Sequence, residues 1–333
     1  MNKLAISFMT YNRAKHIKED LDIIAQPTKE CGIDIYIYDG STDACTEYVV
    51  KQCVEEGYDH IHYFRTDKTM SLTDSISQRI TNALMFPDAE YIWLCGDKFV
   101  IKPEYYSEIL SYIDQSYDII TIYGGILKGT REFNKPSRFL DYAIVPITHY
   151  GSTIIRKRLL EHSNIQKARR ECPPFTPQLT YLRAIASLKN FKGIVIDGGK
   201  QVNISSRYQV KRGWQSCVWD TWVLNWHQFI CLLPDTYENV RKNLFNRIDK
   251  EVHFFSIRML LLQRSEGQLN LKIYVKCRKY VRKIIIASNM TVFGIAILPR
   301  SIAKWLYGFP NSKGYRRIRT QIIKLDKLIT GRS

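Results

Sequence analysis

Two polar segments follow the first two apolar runs of the chain. The run from Leu4 to Thr10 ends in Tyr11-Asn12-Arg13, and the run from Ile33 to Tyr38 ends in Asp39-Gly40-Ser41-Thr42-Asp43. A helical pattern separates the two runs. The order of strand, polar loop, helix, strand and polar loop is typical of an α/β nucleotide site. Ligands of open α/β sheets bind outside the carboxyl ends of the strands, so we expect both loops to line one nucleotide site.

A third candidate group follows the apolar strand pattern Tyr91–Cys95, where Gly96, Asp97 and Lys98 come next. An acid delivered at the carboxyl end of a buried strand lies at the edge where ligands of open α/β sheets bind, so we expect Asp97 to join the same site.

Alternating strand and helix patterns over residues 1–125 position these groups. Helices are predicted at Ala14–Ile24, Thr42–Glu55, Leu72–Met85 and Glu104–Ile113, and further strands at His60–Arg65, Tyr91–Cys95 and Ile119–Tyr123. Alternation at this spacing favours a mostly parallel sheet covered by helices. The fold class is therefore α/β.

The rest of the chain is predicted to be mostly helical. Residues 126–200 give a strand running into a helix at Gly151–Arg156, a rigid loop at Pro173–Pro177, a helix at Leu179–Leu188 and a strand at Gly193–Asp197. Helices follow at Val218–Leu233 and Tyr237–Arg247, and residues beyond 251 are largely helical. Trp219, Trp222 and Trp226 lie at spacings of three and four, so we interpret them as a packing face.

The two loops together carry a family resemblance. The pair Thr10-Tyr11-Asn12-Arg13 and Asp39-Gly40-Ser41-Thr42-Asp43 resembles the start of family-2 glycosyltransferases of the capsule and exopolysaccharide type, which have the GT-A fold. The resemblance covers roughly residues 3–200 and implies a Rossmann-like, mostly parallel sheet flanked by helices. The residue patterns beyond it predict a C-terminal basic helical extension. We therefore divide the chain into a nucleotide-sugar-binding and catalytic domain (1–205), an aromatic helical acceptor or lid segment (206–250), and a basic helical tail that associates with a membrane or oligomerises (251–333).

The resemblance also implies roles for individual residues. In the family, the first loop and the first Asp of the second loop hold the base and ribose of a nucleotide-sugar, and a D-x-D motif holds a metal. The donor-binding residues implied here are Thr10, Tyr11, Asn12, Arg13, Asp39, Ser41, Asp74, Asp97, Lys98, Arg212 and Trp214. Asp97 matches the first metal-binding acid, but Lys98 and Phe99 depart from the motif, which leaves dependence on Mn²⁺ or Mg²⁺ open. A hard cation prefers several oxygen ligands, so Asp97 alone is a poor metal site, although diphosphate oxygens and waters can complete the shell. An ammonium group beside the leaving diphosphate neutralises the charge that develops there, so we hypothesise weak or absent metal dependence, with Lys98 partly replacing the cation. Asp74 is equally well explained as a helix N-cap.

The segment at residues 207–214 is similar to the Q-x-x-R-W motif of processive family members, with Gly213 inserted. Its cations, among them Arg212, could bind phosphates, and the face of Trp214 could stack on a sugar ring. A basic loop leading into a core helix is the alternative interpretation.

An inverting transfer needs a base that takes the proton of the acceptor hydroxyl. The family usually supplies it from an E-D pair, which this chain lacks in the expected window. Glu171 is the nearest acid and His149 is a second candidate, because a neutral imidazole is a competent base near pH 7. Asp197 is a third candidate. For each of them a purely structural role remains an alternative.

Composition separates the tail from the rest of the chain. The net charge is +17 over 333 residues. Residues 251–333 contain 17 Lys and Arg against 3 Asp and Glu, a net charge of +14, which leaves +3 for the first 250 residues. The eight cysteines form no CxxC pair, and the first strand begins directly after Met1. We therefore expect reduced thiols and a cytoplasmic protein.

The tail carries an apolar run at Ile284–Leu298 with basic residues on both sides. The run is shorter than the roughly 20 residues that span a bilayer. Flanking cations, with Trp305 and Tyr307 at the edge, are typical of a segment in the membrane interface. A helical cap on the catalytic domain, or a homodimer contact, is the alternative.

These observations predict a glycosyltransferase. It would move a hexose, with inversion, from a UDP-type donor to a lipid-linked glycan of a surface polysaccharide at the inner face of the cell membrane. A nucleic-acid-binding protein would explain the charge but neither loop, so we expect no nucleic-acid partner. A sugar-nucleotide nucleotidyltransferase normally opens with a glycine-rich phosphate loop, and the first loop here contains no glycine.

Overall fold

The computed structural model describes residues 2–66, 72–97, 99–123, 129–161, 163–198, 202–204 and 217–308. The chain divides into two compact units. The first comprises residues 1–209 with 233–240, and the second comprises residues 210–232 with 241–333. The three-part division predicted from the sequence stays a prediction.

An eight-stranded mixed sheet forms the centre of the first unit. Its strands are β1 (Asn2–Thr10), β2 (Asp34–Asp39), β3 (Ile61–Arg65), β4 (Ala89–Gly96), β6 (Ile119–Tyr123), β7 (Arg131–Phe133), β8 (Thr153–Arg156) and β9 (Gly193–Asp197), and β5 (Phe99–Ile101) pairs separately with β10 (Val202–Ile204). The order in the sheet is β3-β2-β1-β4-β8-β6-β9-β7. Strands β1 to β4 are parallel, whereas β8 is antiparallel to both of its neighbours and β7 is antiparallel to β9. The sheet is mostly parallel, as the sequence predicted.

Helices flank this sheet. They are α1 (Ala14–Glu30), α2 (Cys45–Glu55), α3 (Leu72–Met85), α4 (Tyr106–Asp114), α5 (Pro136–Ala143), α6 (Lys157–Glu161), α7 (Ile165–Glu171) and α8 (Thr176–Ala186). In α1, the residues Ile17, Leu21 and Ile24 recur every three or four positions and are buried. This spacing gives the helix one apolar face, which packs on the core with the strand residues between Leu4 and Ile37.

At two proline positions the helix boundaries differ from the sequence prediction. Helix α1 continues past Ile24 and through Pro27 to Glu30. Thr28 extends the buried face there, and its hydroxyl donates to the Ile24 carbonyl at 2.7 Å. The predicted loop at Pro173–Pro177 is a 3-10 turn over Pro173–Phe175, after which α8 begins. Pro177 stands in the first turn of α8, where its missing N–H costs no helical hydrogen bond.

The strand order creates a switch point beside β1. The chain runs from β1 to β2 and β3 on one side of β1 and then returns to β4 on the other side. The carboxyl ends of β1 and β4 are therefore neighbours, with Met9 opposite Gly96. Crevices at such points are the usual ligand sites of open α/β sheets. Thr10 and Asp97 follow these two strand ends directly.

The second unit is helical. After a π-helical segment at Asp220–Asn225, it contains α9 (Trp226–Cys231), α11 (Arg247–Val252), α12 (Ile257–Ser265), α13 (Leu271–Ile284), α14 (Asn289–Ile297) and α15 (Arg300–Gly308). Helix α10 (Glu238–Leu244) crosses the division between the two sets of residues.

The aromatic cluster of the second unit is packed, as predicted. Trp219 and Trp226 are buried. The rings of Trp222 and Trp226 lie 6.0 Å apart, and Trp219 packs against Phe255 at 5.2 Å. Buried indoles need a partner for the N–H, and Trp226 Nε1 donates to the Phe245 carbonyl at 2.9 Å.

The apolar run at Ile284–Leu298 is not one segment. Ile284 ends α13, and Ser288 then caps α14, its hydroxyl accepting from the Thr291 N–H at 3.1 Å. Ile284, Val292 and Ile295 are buried within the unit. The polar cap at Ser288 therefore divides the run between two helices, and each helix contributes buried residues to the core of the unit. Among the described helices, none has the length and apolarity to cross a bilayer.

Candidate active site

The loops after β1 and β2 are tied to each other. The Asn12 N–H donates to Ser41 Oγ at 2.8 Å, and Asn12 Oδ1 accepts from the Thr42 N–H at 2.9 Å. The Gly40 N–H donates to the Thr10 carbonyl at 3.1 Å. Asn12 adopts a left-handed backbone with φ of 52°, a conformation that asparagine tolerates better than most residues. The two loops predicted to share a site therefore form one hydrogen-bonded surface.

Asp39 is the anchor of the second loop. Its side chain is fully buried. Oδ1 accepts from the Ser41 N–H at 2.8 Å and from the Ser41 hydroxyl, and Oδ2 accepts from the Tyr63 hydroxyl at 2.9 Å. Burial, together with this bond to Asp39, raises the pKa of Tyr63. Through these hydrogen bonds Asp39 holds the second loop in position.

The rest of the second loop is fixed from β3 and from its own helix. Arg65 Nη2 donates to the Ser41 carbonyl at 3.1 Å and to the Asp43 carbonyl. Asp43 Oδ1 accepts from the Cys45 N–H at 3.0 Å at the start of α2. Asp43 thus has the structural role of a side chain that holds a helix start.

Arg79 of α3 is the main site residue that the sequence analysis missed. It is 4% exposed, and its Nη1 donates to the Thr10 carbonyl. Burial lowers the pKa of Arg79, and the negative charges of Asp39 and Asp97 oppose that effect. The guanidinium carbon lies 5.8 Å from the centre of the exposed Tyr11 ring. A cation is therefore held at the base of both loops.

The feature of the sequence that could have indicated Arg79 was its spacing from apolar residues in the helical pattern of α3. It stands four residues before Ala83, which is buried, in a helix whose bounds were predicted correctly. An arginine on the buried face of a helix must find acceptors, because an unpaired buried charge is very costly.

Asp97 joins the end of β4 to the first loop. Arg13 Nη1 lies 2.6 Å from Asp97 Oδ1 in an ion pair, and the Thr10 hydroxyl donates to Oδ2 at 3.4 Å. The Asp97 side chain is only 8% exposed, against 32% for Arg13. Arg13 thus neutralises Asp97 through Nη1, and the other N–H groups of its partly exposed guanidinium lie at the edge of the site.

The residues around Asp97 fit a divalent metal poorly. A guanidinium occupies Oδ1, where a metal ion would need a free oxygen and would meet an opposing positive charge. Within the described ranges, no three His, Cys, Asp or Glu side chains come together as a metal-binding group. Asp97 remains the one sequence-predicted ligand, and no further ligand joins it among the described residues.

A second acid, Asp20 of α1, lies close enough to Asp97 for their charges to repel. Burial raises the pKa of Asp20 to about 8, and the charge of Asp97 adds to this effect. Asp20 is 5% exposed, and its Oδ2 has no hydrogen-bond partner among the described residues. The sequence analysis missed Asp20, because an Asp in a helical pattern is ordinarily a surface residue.

His149 lies at the same edge of the sheet as Asp97. Two residues after it, the Gly151 N–H donates to the Leu94 carbonyl at 2.8 Å, near the carboxyl end of β4. The His149 ring is 6.4 Å from that of Tyr123, the last residue of β6. Partial desolvation of the ring lowers the pKa of His149, although the residue as a whole is exposed. A largely neutral imidazole at pH 7 is thus available there.

Glu171 is engaged in ion pairs at the end of α7. Its Oε2 lies 2.6 Å from Arg183 Nη2 of α8, and its Oε1 lies 4.0 Å from Lys167 Nζ. Asp197 Oδ2, at the end of β9, accepts from the Gly129 N–H at 3.1 Å. Both carboxylates therefore already have partners within the chain.

Four predicted donor residues lack a described side chain. Lys98, Arg212 and Trp214 lie outside the described residues. Asp74 is the third residue of α3, so its backbone lies in the first helical turn and not at the N-cap position. Their roles stay predictions.

Comparison with known proteins rests on structure alone. No protein family model matches the chain, and no curated protein sequence matches it. The structure is similar to S. aureus TarS 1-349, with 13% identity, coverage of 99% of this chain and 92% of that chain, and a TM-score of 0.52. The same protein in complex with UDP matches at 14% identity, 92% of both chains and a TM-score of 0.51.

A second similar structure is that of a mannosyltransferase. The mannosyltransferase PcManGT from Pyrobaculum calidifontis, in complex with GDP-Man and Mn²⁺, matches at 12% identity, 96% of this chain, 84% of that chain and a TM-score of 0.50. Both similar proteins are glycosyltransferases of the GT-A type. The chain has the GT-A fold. The predicted fold, including its C-terminal helices, is thus confirmed, and at these identities the likeness concerns the fold.

Proposed function

We propose that this GT-A protein is an inverting glycosyltransferase that takes a hexose from a nucleotide-diphosphate donor of the UDP type. The observation that carries the proposal is the meeting of Arg13, Arg79 and Asp97 at the switch point, where β1 and β4 end. Nucleotides bind at this place in open sheets. A likeness in fold to a protein that binds UDP supports the choice of donor class.

The donor would lie along the joined loops. Tyr11 offers an exposed ring, 41% accessible, at the mouth of the site, and Arg79 stabilises the loop beneath it. Asp39 and Ser41 fix the shape of the nucleoside pocket, and Thr10 and Asn12 line it. Arg13 would contact the diphosphate, since guanidinium groups bind phosphate oxygens with paired hydrogen bonds.

In the reaction the acceptor oxygen attacks the anomeric carbon and forms the new glycosidic bond. The bond from that carbon to the donor phosphate oxygen breaks, and the nucleoside diphosphate leaves with the electron pair. The acceptor proton passes to a base. His149 is our first choice for that base, because the Glu171 carboxylate is already held in an ion pair with Arg183. Glu171 remains the second candidate.

Positive charge at the leaving group would come from protein side chains. Arg13 already neutralises Asp97, and the sequence places Lys98 next to it. A preorganised cation stabilises the developing diphosphate charge without a metal ion. We therefore propose weak dependence on Mn²⁺ or Mg²⁺. Activity abolished by EDTA and restored by Mn²⁺ would contradict this part.

The acceptor is proposed to be a lipid-linked glycan of a surface polysaccharide, reached from the cytoplasmic face of the membrane. The basic second unit supports this choice, since cations near an anionic membrane bring the protein to its acceptor. A homodimer through the same helices is the alternative arrangement, and no nucleic-acid partner is proposed.

Isothermal titration with UDP-, GDP-, CMP- and dTDP-sugars, with and without Mn²⁺, tests the donor site. We expect one nucleotide class to bind, and Asp97→Asn to weaken binding at least about tenfold because Arg13 loses its anchor. Asp43→Asn is the matched control, an acid of the same region that only holds a helix start. Equal loss in both variants, or no binding by the wild type, would contradict the proposal.

The base is tested by transfer kinetics at saturating donor. His149→Ala should lower kcat by about two orders of magnitude with donor affinity unchanged. Glu171→Gln should leave kcat within about threefold if its carboxylate serves only Arg183. The reverse pattern would transfer the role of the base to Glu171.

A further inference from the structure

The described helices of the second unit expose large apolar side chains. Met290 and Ile297 of α14 are 64% and 53% exposed, and Ile302 and Trp305 of α15 are 44% and 54% exposed. We call these four residues the apolar outer face. Isolated exposed apolar residues are normal on protein surfaces, but several on consecutive helices indicate a binding surface.

Helix α14 is unusual because it has no polar side. Its nine residues include no charged one. Val292, Ile295 and Ala296 are buried, while Met290 and Ile297, seven residues apart, share the opposite face. A Cβ at Gly294, between them, would meet open space. Helices that are apolar on every side normally belong in a core or a membrane.

The apolar outer face is held in a fixed place within its unit. Helix α12 packs against both α14 and α15. Arg264 of α12 donates from Nε to the Leu298 carbonyl at 2.6 Å, in the short turn that joins the two helices. On α15, Ala303 and Leu306 face inward, so Trp305 and Ile302 are directed away from the packed side.

Helix α15, which carries part of this face, and α13, which packs against α14, are basic. Residues 271–308 contain eight Lys and Arg and no Asp or Glu. Lys276 pairs with Asp220 at 2.6 Å, and the ammonium groups of Lys279 and Lys283 lie over aromatic rings. The exposed Lys272, Arg278, Arg282 and Lys304 make no ion pair within the described part of the chain. The partner must therefore combine an apolar layer with negative charge.

We propose that the apolar outer face binds the interface of an anionic lipid bilayer. The four apolar side chains would enter the boundary between headgroups and acyl chains, and the cations of α13 and α15 would contact the phosphates of the headgroups. Amphipathic surfaces of this kind bind through buried apolar area together with attraction to anionic lipid. Trp305 suits the interface because its indole is apolar over most of its surface and polar at its N–H.

This inference deepens the proposed function, since it names the surface that would bring the transferase to a lipid-linked acceptor. A second copy of the chain would cover the apolar residues but would oppose one set of cations to another. Duplex DNA would attract the cations but would leave the apolar side chains in water. An anionic bilayer matches both features.

The test is co-sedimentation of the full chain with vesicles. Vesicles of phosphatidylcholine alone are compared with vesicles that also contain phosphatidylglycerol. We expect binding to the anionic vesicles to be at least about tenfold stronger and to fall as salt is raised. The double variant Met290→Ser and Ile297→Ser should lose at least about tenfold of that affinity.

Control variants come from the first unit. Tyr48→Ser removes a side chain that is 63% exposed on α2 and should leave vesicle binding unchanged. The charge reversal Lys272→Glu with Lys304→Glu should also weaken binding at least about tenfold, whereas Lys51→Glu on α2 should not. Circular dichroism and thermal melting verify that each variant is folded, and the charge reversals touch no core residue.

Several results would overturn the proposal. The first is that the double apolar variant binds vesicles as strongly as the wild type does. Loss of a dimer in light scattering, with vesicle binding unchanged, would assign the face to a second copy. Binding to duplex DNA but not to anionic vesicles would assign it to nucleic acid. Titration with nucleotide-sugars on the same variants separates the two proposals, because a failed donor site would leave the vesicle result intact.

Discussion

The site edge of the first unit, formed by the residues around Asp39 and Asp97, and the apolar outer face of the second unit differ in how many contacts their side chains make within the chain. At the site edge, Asp39 accepts hydrogen bonds on both oxygens, and Asp97 is paired with Arg13. On the outer face, Met290 and Ile297 are more than half exposed. The first region is preorganised by contacts within the chain, whereas the second exposes apolar surface that a partner could cover.

The difference teaches which substitutions should matter in each region. A preorganised polar network loses function when one member is removed, because the remaining charged groups are left without partners. An exposed apolar face loses binding, but little stability, when one side chain is shortened. Stability and binding measured on the same variants therefore distinguish the two regions.

Arg79→Ala should have the largest effect. It removes a buried cation beside Asp39 and Asp97 and leaves a cavity, so we expect the free energy of unfolding to fall by roughly 3 kcal/mol. Donor affinity should fall about 100-fold, since both loops lose their common support. Urea denaturation and isothermal titration measure the two quantities.

Arg131→Ala is the matched control for Arg79→Ala. This arginine lies exposed on β7, over the ring of Tyr142. Its removal should change the free energy of unfolding by less than about 1 kcal/mol and leave donor binding unchanged. Equal effects of the two substitutions would remove Arg79 from the centre of the site.

Asp20→Asn should change how stability depends on pH. Burial raises the pKa of Asp20 in the folded protein to about 8, whereas the pKa of an Asp in the unfolded chain is about 3.9. Between these values the folded state holds a proton that the unfolded state has lost. The free energy of unfolding therefore falls as pH rises from about 4 to 8, with a slope approaching about 1.4 kcal/mol per pH unit for this group.

The asparagine variant carries no titrating group at this position. Its free energy of unfolding should match that of the wild type near pH 4 and exceed it by a few kcal/mol, roughly, at pH 8. Urea unfolding at a series of pH values measures this difference. Asp22→Asn, which removes an exposed acid on the same helix that pairs with Lys18, is the control. It keeps Asp20, so its stability should fall with pH as that of the wild type does. Parallel curves for wild type and Asp20→Asn would contradict the raised pKa.

The sequence was sufficient to predict the sheet and the two loops, because both follow from local patterns. Alternating apolar runs gave β6 and α3 with correct bounds, and the loop residues from Thr10 to Asp43 meet as predicted. The end of α1 was missed since tertiary burial of Thr28 outweighs the local effect of Pro27.

The partners of the site residues could not be predicted in the same way. Arg79 and Asp20 act through interactions with residues distant in the chain, and the sequence shows only that they are polar residues in a helical pattern. The pairing of Arg13 with Asp97 joins residues 84 positions apart. The sequence indicated Asp97 as a metal ligand and Arg13 as a contact of the nucleotide-sugar. It did not indicate that the Arg13 guanidinium pairs with the Asp97 carboxylate.

Gly40→Ala tests how tightly the site edge is packed. A Cβ at Gly40 would stand 2.4 Å from Arg79 Nη1, so the guanidinium must shift. We expect a loss of about 1–3 kcal/mol in the free energy of unfolding and weaker donor binding. In the Arg79→Ala background the same substitution should cost little, because the obstructing group is gone. Strictly additive effects in this double-mutant cycle would show that the two residues do not interact.

Gly294→Ala is the counterpart in the second unit and should have the smallest effect, with the opposite sign. Its Cβ would meet open space inside α14, and alanine favours a helix over glycine by roughly 0.5–1 kcal/mol. The variant should therefore be more stable in urea and should bind anionic vesicles at least as well as the wild type. Gly57→Ala is the matched control. It also meets open space, but φ is 96°, so an added side chain is strained and stability should fall. Destabilisation by Gly294→Ala would mean that the face of α14 is already packed against other atoms, and the contrast between a satisfied site edge and an uncovered outer face would fail.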